Sequence, residues 1–482
     1  MRSKWQVAAA VALLVATMAC GAPADDPASD QPSADQRPAG AGIYYGAALD
    51  AATWIRSTAI AGDEGLAWPA DPYDTAAVVT NLYTGTPGVV LFFLELAAYT
   101  GDESYLADAR GGAELLLAHL DANAANTEGE RSNADHTMRG AGLYTGLAGI
   151  GFVLNETYEA TGDARYRDGA LRAVERIHEL SQPVGAGVEW ENSTDIISGT
   201  AGTGLFLLYA AREMGHEQSL ELAERAGRRL IEVAEPHETG LGWRVYPEYP
   251  RLMPNFSHGT AGVAYFLAAL NEASGDPVYL DAAIAGAHRL LDLAETEGDV
   301  CLVFHDDDGG EELQYLSWCH GPAGTARTFY KLWQLTDDPQ WLEWTEKSAN
   351  GVYSSGIPET LTEGFWNNVG QCCGSAGVAE FALALDAAGV GLPASAGAAT
   401  SGGASPHLAF ARRTADNLLT RATADGGGLM WVQAEHRVRP EFLVAQTGYM
   451  QGAAGIGMML LHLDASLTGR ESPRIVFPDT PY

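Results

Sequence analysis

Five cysteines in 482 residues are too few for a disulfide scaffold, the device that small secreted domains use when they cannot build a core. Positive charge is scarcer still in proportion. Lysine and arginine number 28 against 62 aspartates and glutamates, a formal charge of -34, and this excludes nucleic acid as a partner, because that affinity rests on Lys and Arg neutralising phosphate. The same balance disfavours adsorption to anionic lipid and leaves a solvated acidic surface as the plain reading. Near the start, the apolar run from Val7 to Ala19 is too short to form a spanning helix.

What is present begins with that run. Preceded by Met1-Arg2-Ser3-Lys4, it has the charged and apolar parts of a secretory signal. Cys20 follows Thr17-Met18-Ala19 where a bacterial lipoprotein is cleaved and acylated, with Thr17 standing where leucine is usual. Residues 21–42, rich in Pro, Ala, Ser and Asp, cannot bury enough apolar surface to order themselves and read as a tether. The expectation is a signal peptide over 1–20, export to the cell envelope, and membrane attachment only through a lipid on Cys20. An ordinary cleaved signal is the alternative.

With 46% hydrophobic residues the rest can bury a large core. One phrase returns through it: Tyr83-Thr84-Gly85-Thr86-Pro87-Gly88, Tyr144-Thr145-Gly146-Leu147-Ala148-Gly149, Ser198-Gly199-Thr200-Ala201-Gly202 and His258-Gly259-Thr260-Ala261-Gly262. It continues in Cys319-His320-Gly321-Pro322-Ala323-Gly324, Cys372-Cys373-Gly374-Ser375-Ala376-Gly377 and Gln451-Gly452-Ala453-Ala454-Gly455. The period holds two helices and their loops, and is too long for the 34-residue helical repeats. After each phrase comes a segment such as Val89-Val90-Leu91-Phe92-Phe93-Leu94, apolar all round and so destined for the interior. Several end at Thr100-Gly101-Asp102, Thr161-Gly162-Asp163 or Ser274-Gly275-Asp276, where glycine stops one helix and aspartate caps the next. The following segment is amphipathic, with Tyr166, Ala170, Val174 and Ile177 on one face. An inner helix paired with an outer one, seven times, predicts an all-α fold, an α/α toroid of about seven helical hairpins over 43–470, with 471–482 as a C-terminal tail. Residues 122–140 and 387–406 read as inserted loops. The glycines are expected to let neighbouring backbones approach closely.

Four phrases carry a reactive residue: Asp195 four before Gly199, His258, Cys319, and the Cys372–Cys373 pair. Thiolates are soft anionic donors suited to zinc, and three of them leave one tetrahedral position open, as in a catalytic site. Cys319, Cys372 and Cys373 are therefore the candidate metal ligands for Zn2+, with His320 beside them as a neighbour. A disulfide among these thiols is the competing reading. A carbohydrate-active toroid would instead need paired carboxylates and aromatic platforms, for which Glu189, Glu191 or Asp195 and Trp190, Trp243, Trp366 and Trp431 are available; the cysteines have no purpose there.

The repeated Gly-x-x-Gly phrases, the Trp318-Cys319-His320-Gly321 stretch and Cys372-Cys373-Gly374 resemble the lanthionine synthetase C-like family over about residues 43–470. The resemblance implies an α/α toroid with zinc held by Cys319, Cys372 and Cys373, the last standing where that family usually has histidine. It also implies an acid/base pair, Asp195 and His258, serving the addition of a cysteine thiolate to a dehydroamino acid. His258 is the expected proton donor, with Asp195 assisting thiol deprotonation. The family's arginine ahead of the Trp-Cys motif has no counterpart in Gln314-Tyr315-Leu316-Ser317, and Tyr315 is the candidate substitute donor. A peptide or small thiol is the implied substrate. A non-catalytic zinc-bearing module that binds peptide at the envelope is the remaining alternative.

Overall fold

The computed structural model describes residues 42–74, 78–125, 140–305, 315–360, 368–391, 405–434 and 441–482. The expected signal, Cys20 and the tether to residue 41 lie outside the described residues, whereas Gly42 is the N-cap of the first helix. Among the described residues no helix is long and apolar enough to cross a membrane.

Among the described residues seven helices form an inner ring: α2 (Thr86–Thr100), α4 (Leu147–Thr161), α6 (Thr200–Glu213), α8 (Thr260–Ser274), α10 (Pro322–Thr336), α12 (Ser375–Ala387) and α14 (Ala453–Thr468). Each packs on the next, and α14 packs on α2, so the ring closes. Outside lie α3 (Glu103–Ala125), α5 (Ala164–Leu180), α7 (Gln218–Glu232), α9 (Pro277–Leu293), α11 (Pro339–Ser354) and α13 (Pro406–Thr420), each against the inner helix before it. The last inner helix has no outer helix after it. Its partner is α1 (Ile43–Ser57), which precedes the first repeat, so the two ends of the chain complete the seventh hairpin together. This is the α/α toroid that the repeats predict.

The physical reasons follow the sequence. Val89, Val90, Leu91, Phe92 and Phe93 are all fully buried, because an inner helix has neighbours on every side. On the outer α5, Tyr166, Gly169, Ala170, Ala173, Val174 and Ile177 are buried on one face, while Asp168, Arg172 and Glu175 are exposed on the other. Gly101, Gly162 and Gly275 take the left-handed conformation (φ 72°, 67° and 73°) that ends an inner helix. Asp163, Asp276 and Asp338 then accept from the backbone N–H two residues on, capping α5, α9 and α11. Of the insertion expected over 122–140, residues 122–125 belong to α3 and 126–139 lie outside the described residues, as do 392–404 of the one expected over 387–406.

Short antiparallel ribbons, which helix periodicity does not reveal, join outer helices to the next loop: Ile60–Gly62 with Gly65–Ala67, Gln182–Val184 with Gly187–Glu189, Glu235–Pro236 with Leu241–Gly242, and Ala294–Glu295 with Leu302–Val303. A three-stranded one, Ala422–Asp425, Gly428–Ala434 and Leu443–Ala445, precedes the last loop. Trp190, Trp243 and Trp431 sit at these ribbons, at most 2% exposed. Their indole N–H groups donate to the carbonyls of Ile177, Leu230 and Leu418 on the outer helices, at 3.0, 2.7 and 2.8 Å. They pin outer helices and offer no face to a sugar. Of the expected platforms, Trp366 lies outside the described residues.

Every phrase starts an inner helix, and its first glycine, from Gly85 to Gly452, is the N-cap. The first glycine of each phrase is pressed against its own loop, and the second in several also meets the neighbouring repeat as expected: a Cβ on Gly88 would lie 2.8 Å from the backbone nitrogen of Tyr449. A Cβ on Gly321 would lie 2.2 Å from the carbonyl oxygen of Tyr315, and one on Gly324 2.0 Å from that of Trp318. Adjacent loops are then sewn together by backbone hydrogen bonds. The N–H of Tyr83 donates to Tyr144, Tyr144 to Ile197, Ile196 to Ser257, Ser257 to Cys319, Cys319 to Cys372, Cys372 to Met450, and Met450 back to Tyr83, all at 2.9–3.2 Å. These bonds make a closed hoop around one end of the toroid.

Candidate metal and active site

The hoop assigns each phrase two side-chain positions. Two residues before the first glycine come Tyr83, Tyr144, Ile197, Ser257, Cys319, Cys372 and Met450, the hoop residues themselves. One residue before it come Thr84, Thr145, Ser198, His258, His320, Cys373 and Gln451; all but the buried Gln451 are half-buried. Cys319 and Cys372 thus hold equivalent places in adjacent loops, joined by their own backbones, while Cys373 occupies the second position beside them.

The three Sγ atoms gather within 4.8 Å of one another. Cys319 lies 3.2 Å and Cys372 3.4 Å from Cys373, and no pair is bonded as a disulfide. Zinc–sulfur bonds of about 2.3 Å in a tetrahedron give S···S edges of about 3.8 Å. Two of the separations lie about half an ångström under that edge, and three thiols are a donor set zinc favours. The residues present fit the metal. Hydrogen bonds with Cys319 and Cys372 hold the Cys373 thiol well below its ordinary range, whereas burial pushes Cys319 and Cys372 well above theirs. The three thiols interact too closely to titrate separately, so their protonation belongs to the trio.

Neighbours orient these sulfurs. The Tyr83 hydroxyl donates to Cys372 Sγ at 2.9 Å and accepts from Gln451 Nε2 at 2.9 Å, and Gln433 Nε2 donates to Gln451 Oε1 at 2.6 Å. Burial first, and then the cysteine charges, keep the Tyr83 phenol well above its ordinary range, so it stays a donor. Neither Tyr83 nor Gln451 stands out in the sequence, yet both occupy the repeat positions that the cysteines occupy, in loops that ring closure sets beside them.

Asp195 and His258, from adjacent phrases, meet. Asp195 Oδ2 lies 2.5 Å from His258 Nδ1. The Asp195 side chain is fully buried, and its Oδ1 accepts from the Ser198 N–H at 2.9 Å; the His258 ring is 36% exposed. The Asn255 side chain accepts from the His258 N–H at 2.8 Å and fixes that loop. The carboxylate orients the ring and leaves Nε2 as its remaining nitrogen. His258 is also near enough for its charge to act on Cys373.

Next to His258, His320 stands with its ring centroid 5.9 Å away and stacks on His305 at 4.1 Å, while Tyr315 packs edge-on against both, at 4.9 Å from His305 and 5.3 Å from His320. Burial, with His305 and His258 adding to it, pushes His320 well below the ordinary imidazole range, so it is neutral. Tyr315, expected as a donor, is buried against these rings. His305 has no motif around it and is invisible in the sequence. Cys301, the fourth described cysteine, is buried beside Ser348 and Lys347, outside the trio, with its thiol pushed up by burial to about 12. Of the carboxylates open to a sugar-cleaving role, Glu189 pairs with Arg229 at 2.6 Å and Asp195 with His258, while Glu191 is exposed.

Comparison with known proteins adds the following. The model of a family described as lanthionine synthetase C-like protein matches residues 77–476. No curated protein matches the sequence. Among solved structures, nisin cyclase superposes with a TM-score of 0.57 at 16% identity, covering 89% of this chain and 93% of that one, which shows a shared fold. An inactive variant of an α-1,6-mannanase from Salegentibacter sp. HEL1_6, in complex with α-1,6-mannotriose, superposes with a TM-score of 0.44 at 15% identity, over 88% of this chain and 99% of the other.

Proposed function

Since the chain belongs to the lanthionine synthetase C-like family, we propose that it uses Cys319, Cys372 and Cys373 to hold zinc and catalyses the addition of a thiol to a dehydroamino acid in a peptide. The observation that carries this reading is the trio of Sγ atoms within 4.8 Å, with the Asp195–His258 pair in the neighbouring loops. A solved relative of the same fold bears the name nisin cyclase, which favours a peptide as substrate. When bound, zinc held by three thiolates supplies an open coordination position at which a substrate thiol loses its proton near neutral pH.

The chain's own residues do the rest. Tyr83 and Gln451 fix the Cys372 sulfur, and the hoop fixes the spacing of Cys319 from Cys372. His258 Nε2 takes up the proton that the substrate thiol releases, and Asp195 stabilises the imidazolium so formed. The thiolate sulfur bonds to the β-carbon of dehydroalanine or dehydrobutyrine, the carbon–carbon π pair moves into the enolate, and His258 returns the proton to the α-carbon. Product and substrate are isomers when both groups belong to one peptide.

The test uses a peptide bearing one dehydroalanine and one cysteine. With zinc-loaded protein its mass should stay constant while its thiol ceases to react with an alkylating reagent. His258→Ala should slow this by about 10²–10⁴-fold, the usual worth of a placed acid/base group, with zinc retained. A purified protein free of zinc, or a thiol that persists despite bound zinc, would sink the proposal. Export and a lipid on Cys20 complete it: Cys20→Ala should move the protein from the membrane fraction to the soluble one, and unchanged sedimentation removes the anchor.

A further inference from the structure

After α14 the chain does not leave the ring. Gly469 takes φ 68°, and residues 470–482 turn inward along the inner helices. Arg470 lies over the Tyr99 ring at 3.9 Å, Ile475 N–H donates to Glu95 at 2.7 Å, and Arg474 pairs with Glu380 at 2.6 Å. Phe477 stacks on Tyr449 at 4.6 Å and meets Phe152 at 5.3 Å. The segment therefore touches α2, α4 and α12, and then α10, where Gln334 donates to the Pro481 carbonyl at 2.9 Å. Phe477 and Asp479 are its buried members and carry it in among the inner helices.

Its innermost charged residue is Asp479, 0% exposed. An ionised carboxylate without water costs several kcal/mol unless it is paired. Arg327, on α10, pairs with it at 3.2 Å and also donates to its carbonyl at 2.9 Å. The same Oδ2 accepts from Trp318 Nε1 at 3.1 Å. Trp318 directly precedes Cys319, and its ring is met edge-on by Tyr144 at 5.3 Å and Phe256 at 5.7 Å. Those contacts hold the indole body, and Asp479 alone holds its N–H among the hydrogen bonds described. An indole gripped on all sides has one rotamer, and that settles how the adjoining residue leaves the loop.

We propose that residues 470–482 are an internal strap whose Asp479 seats Trp318 and thereby positions Cys319 Sγ against Cys372 and Cys373. Asp479 is a positioning residue, acting through Trp318. The inference rests on the reading of the trio as the working site, and its test is readable without metal. In metal-free protein, the alkylation rate of each cysteine is followed by mass spectrometry, with the buried Cys301 reporting global opening. Asp479→Ala should speed Cys319 alkylation at least about tenfold while Cys301 stays as slow as in the parent, and should weaken zinc by about 10–100-fold in competition with a chelator, the usual effect of losing an outer partner of a ligand. Asp479→Asn, which keeps an acceptor for the indole, should restore the parent's Cys319 rate. Trp318→Phe, which leaves the Asp479–Arg327 pair in place, should reproduce the Asp479→Ala pattern. Cys319 unchanged in both Asp479→Ala and Trp318→Phe, or rising only in step with Cys301 in both, overturns the proposal. A parent protein that binds no zinc would defeat the zinc reading and leave the alkylation comparison standing.

Discussion

The loops before α10 and α12 and the loops before α2 and α4 have the same backbone and different side chains. Both pairs start an inner helix at a glycine N-cap, and both are members of one hydrogen-bonded hoop. At the two positions ahead of that glycine the first pair carries Cys319-His320 and Cys372-Cys373, the second Tyr83-Thr84 and Tyr144-Thr145. Glycine and hoop are therefore architecture common to all seven loops, and reactivity enters through two side-chain positions per loop. Adjacency around the ring then decides which side chains can act together.

The largest test of that division removes a sulfur. Cys319→Ala or Cys372→Ala should reduce zinc from about one equivalent to nearly none, and Cys301→Ala should leave it unchanged, as read by elemental analysis of purified protein. Zinc lost equally on changing Cys301 would break the comparison.

A second test strikes the ring away from the sulfurs. His462 of α14 is buried between Glu95 and Glu380, at 2.9 Å from each. Burial alone would lower its pKa, but the charges of Glu380 and Glu95 outweigh it and raise it from 6.5 to about 9. A raised histidine stabilises the fold fully below its unfolded value and ceases to do so as pH climbs through the folded one. About 3 kcal/mol is thus present below pH 6.5 and lost by about pH 9. Glu380 has the opposite sign: burial would raise it, yet Arg474 and His462 bring it down from 4.5 to about 2, so its contribution holds above 4.5 and disappears as pH falls through 2. Denaturant midpoints should form a plateau between those limits, and His462→Gln should flatten the alkaline side with zinc content unchanged at neutral pH. An alkaline slope that survives the substitution would assign it to other groups.

Smaller again is the pair Gly146→Ala and Gly321→Ala. The added Cβ would lie 2.1 Å from the Gly140 carbonyl oxygen in one and 2.2 Å from that of Tyr315 in the other. Each should cost about 1–3 kcal/mol, as overpacking does, and only the second should lower zinc affinity. Equal loss of zinc would show that the hoop transmits more than shape. The smallest effect is expected of Cys373→His, where imidazole replaces one sulfur in a half-buried place. Zinc should stay bound while thiol addition slows; loss of zinc would mean that the position tolerates sulfur alone.

Much of this was legible because the signals are local. Glycine at an N-cap, an apolar segment after it, and Gly-Asp at the turn between helices each leave a residue signature, and the cysteines stand inside the phrase itself. What is hidden depends on closure. The amphipathic α1 carries no phrase, so nothing in it announces that it partners α14. Tyr83 and Gln451 read as packing residues until the ring sets the seventh loop between the sixth and the first. The ribbons are two to four residues long in most cases, below the length at which alternation can be seen. Residues 471–482 read as a tail because Pro473, Pro478 and Pro481 forbid a regular element, and only the ring interior explains the burial of Phe477 and Asp479. The rival use of Trp190, Trp243 and Trp431 as platforms fails on the same ground, since a ribbon tryptophan looks like a cleft tryptophan until its N–H partner is known.

The hoop has a consequence in time. Loops ordinarily surrender their amide protons to deuterated water first, because they open without disturbing anything else. Cys319 and Cys372 donate their N–H groups within a closed circuit, so neither can be released until a neighbouring loop shifts, and that loop is held in turn by the next. Their amides should exchange as slowly as those of the buried inner helices, and together. The interval for which two loop cysteines keep their protons then measures how long the whole circuit stays unbroken.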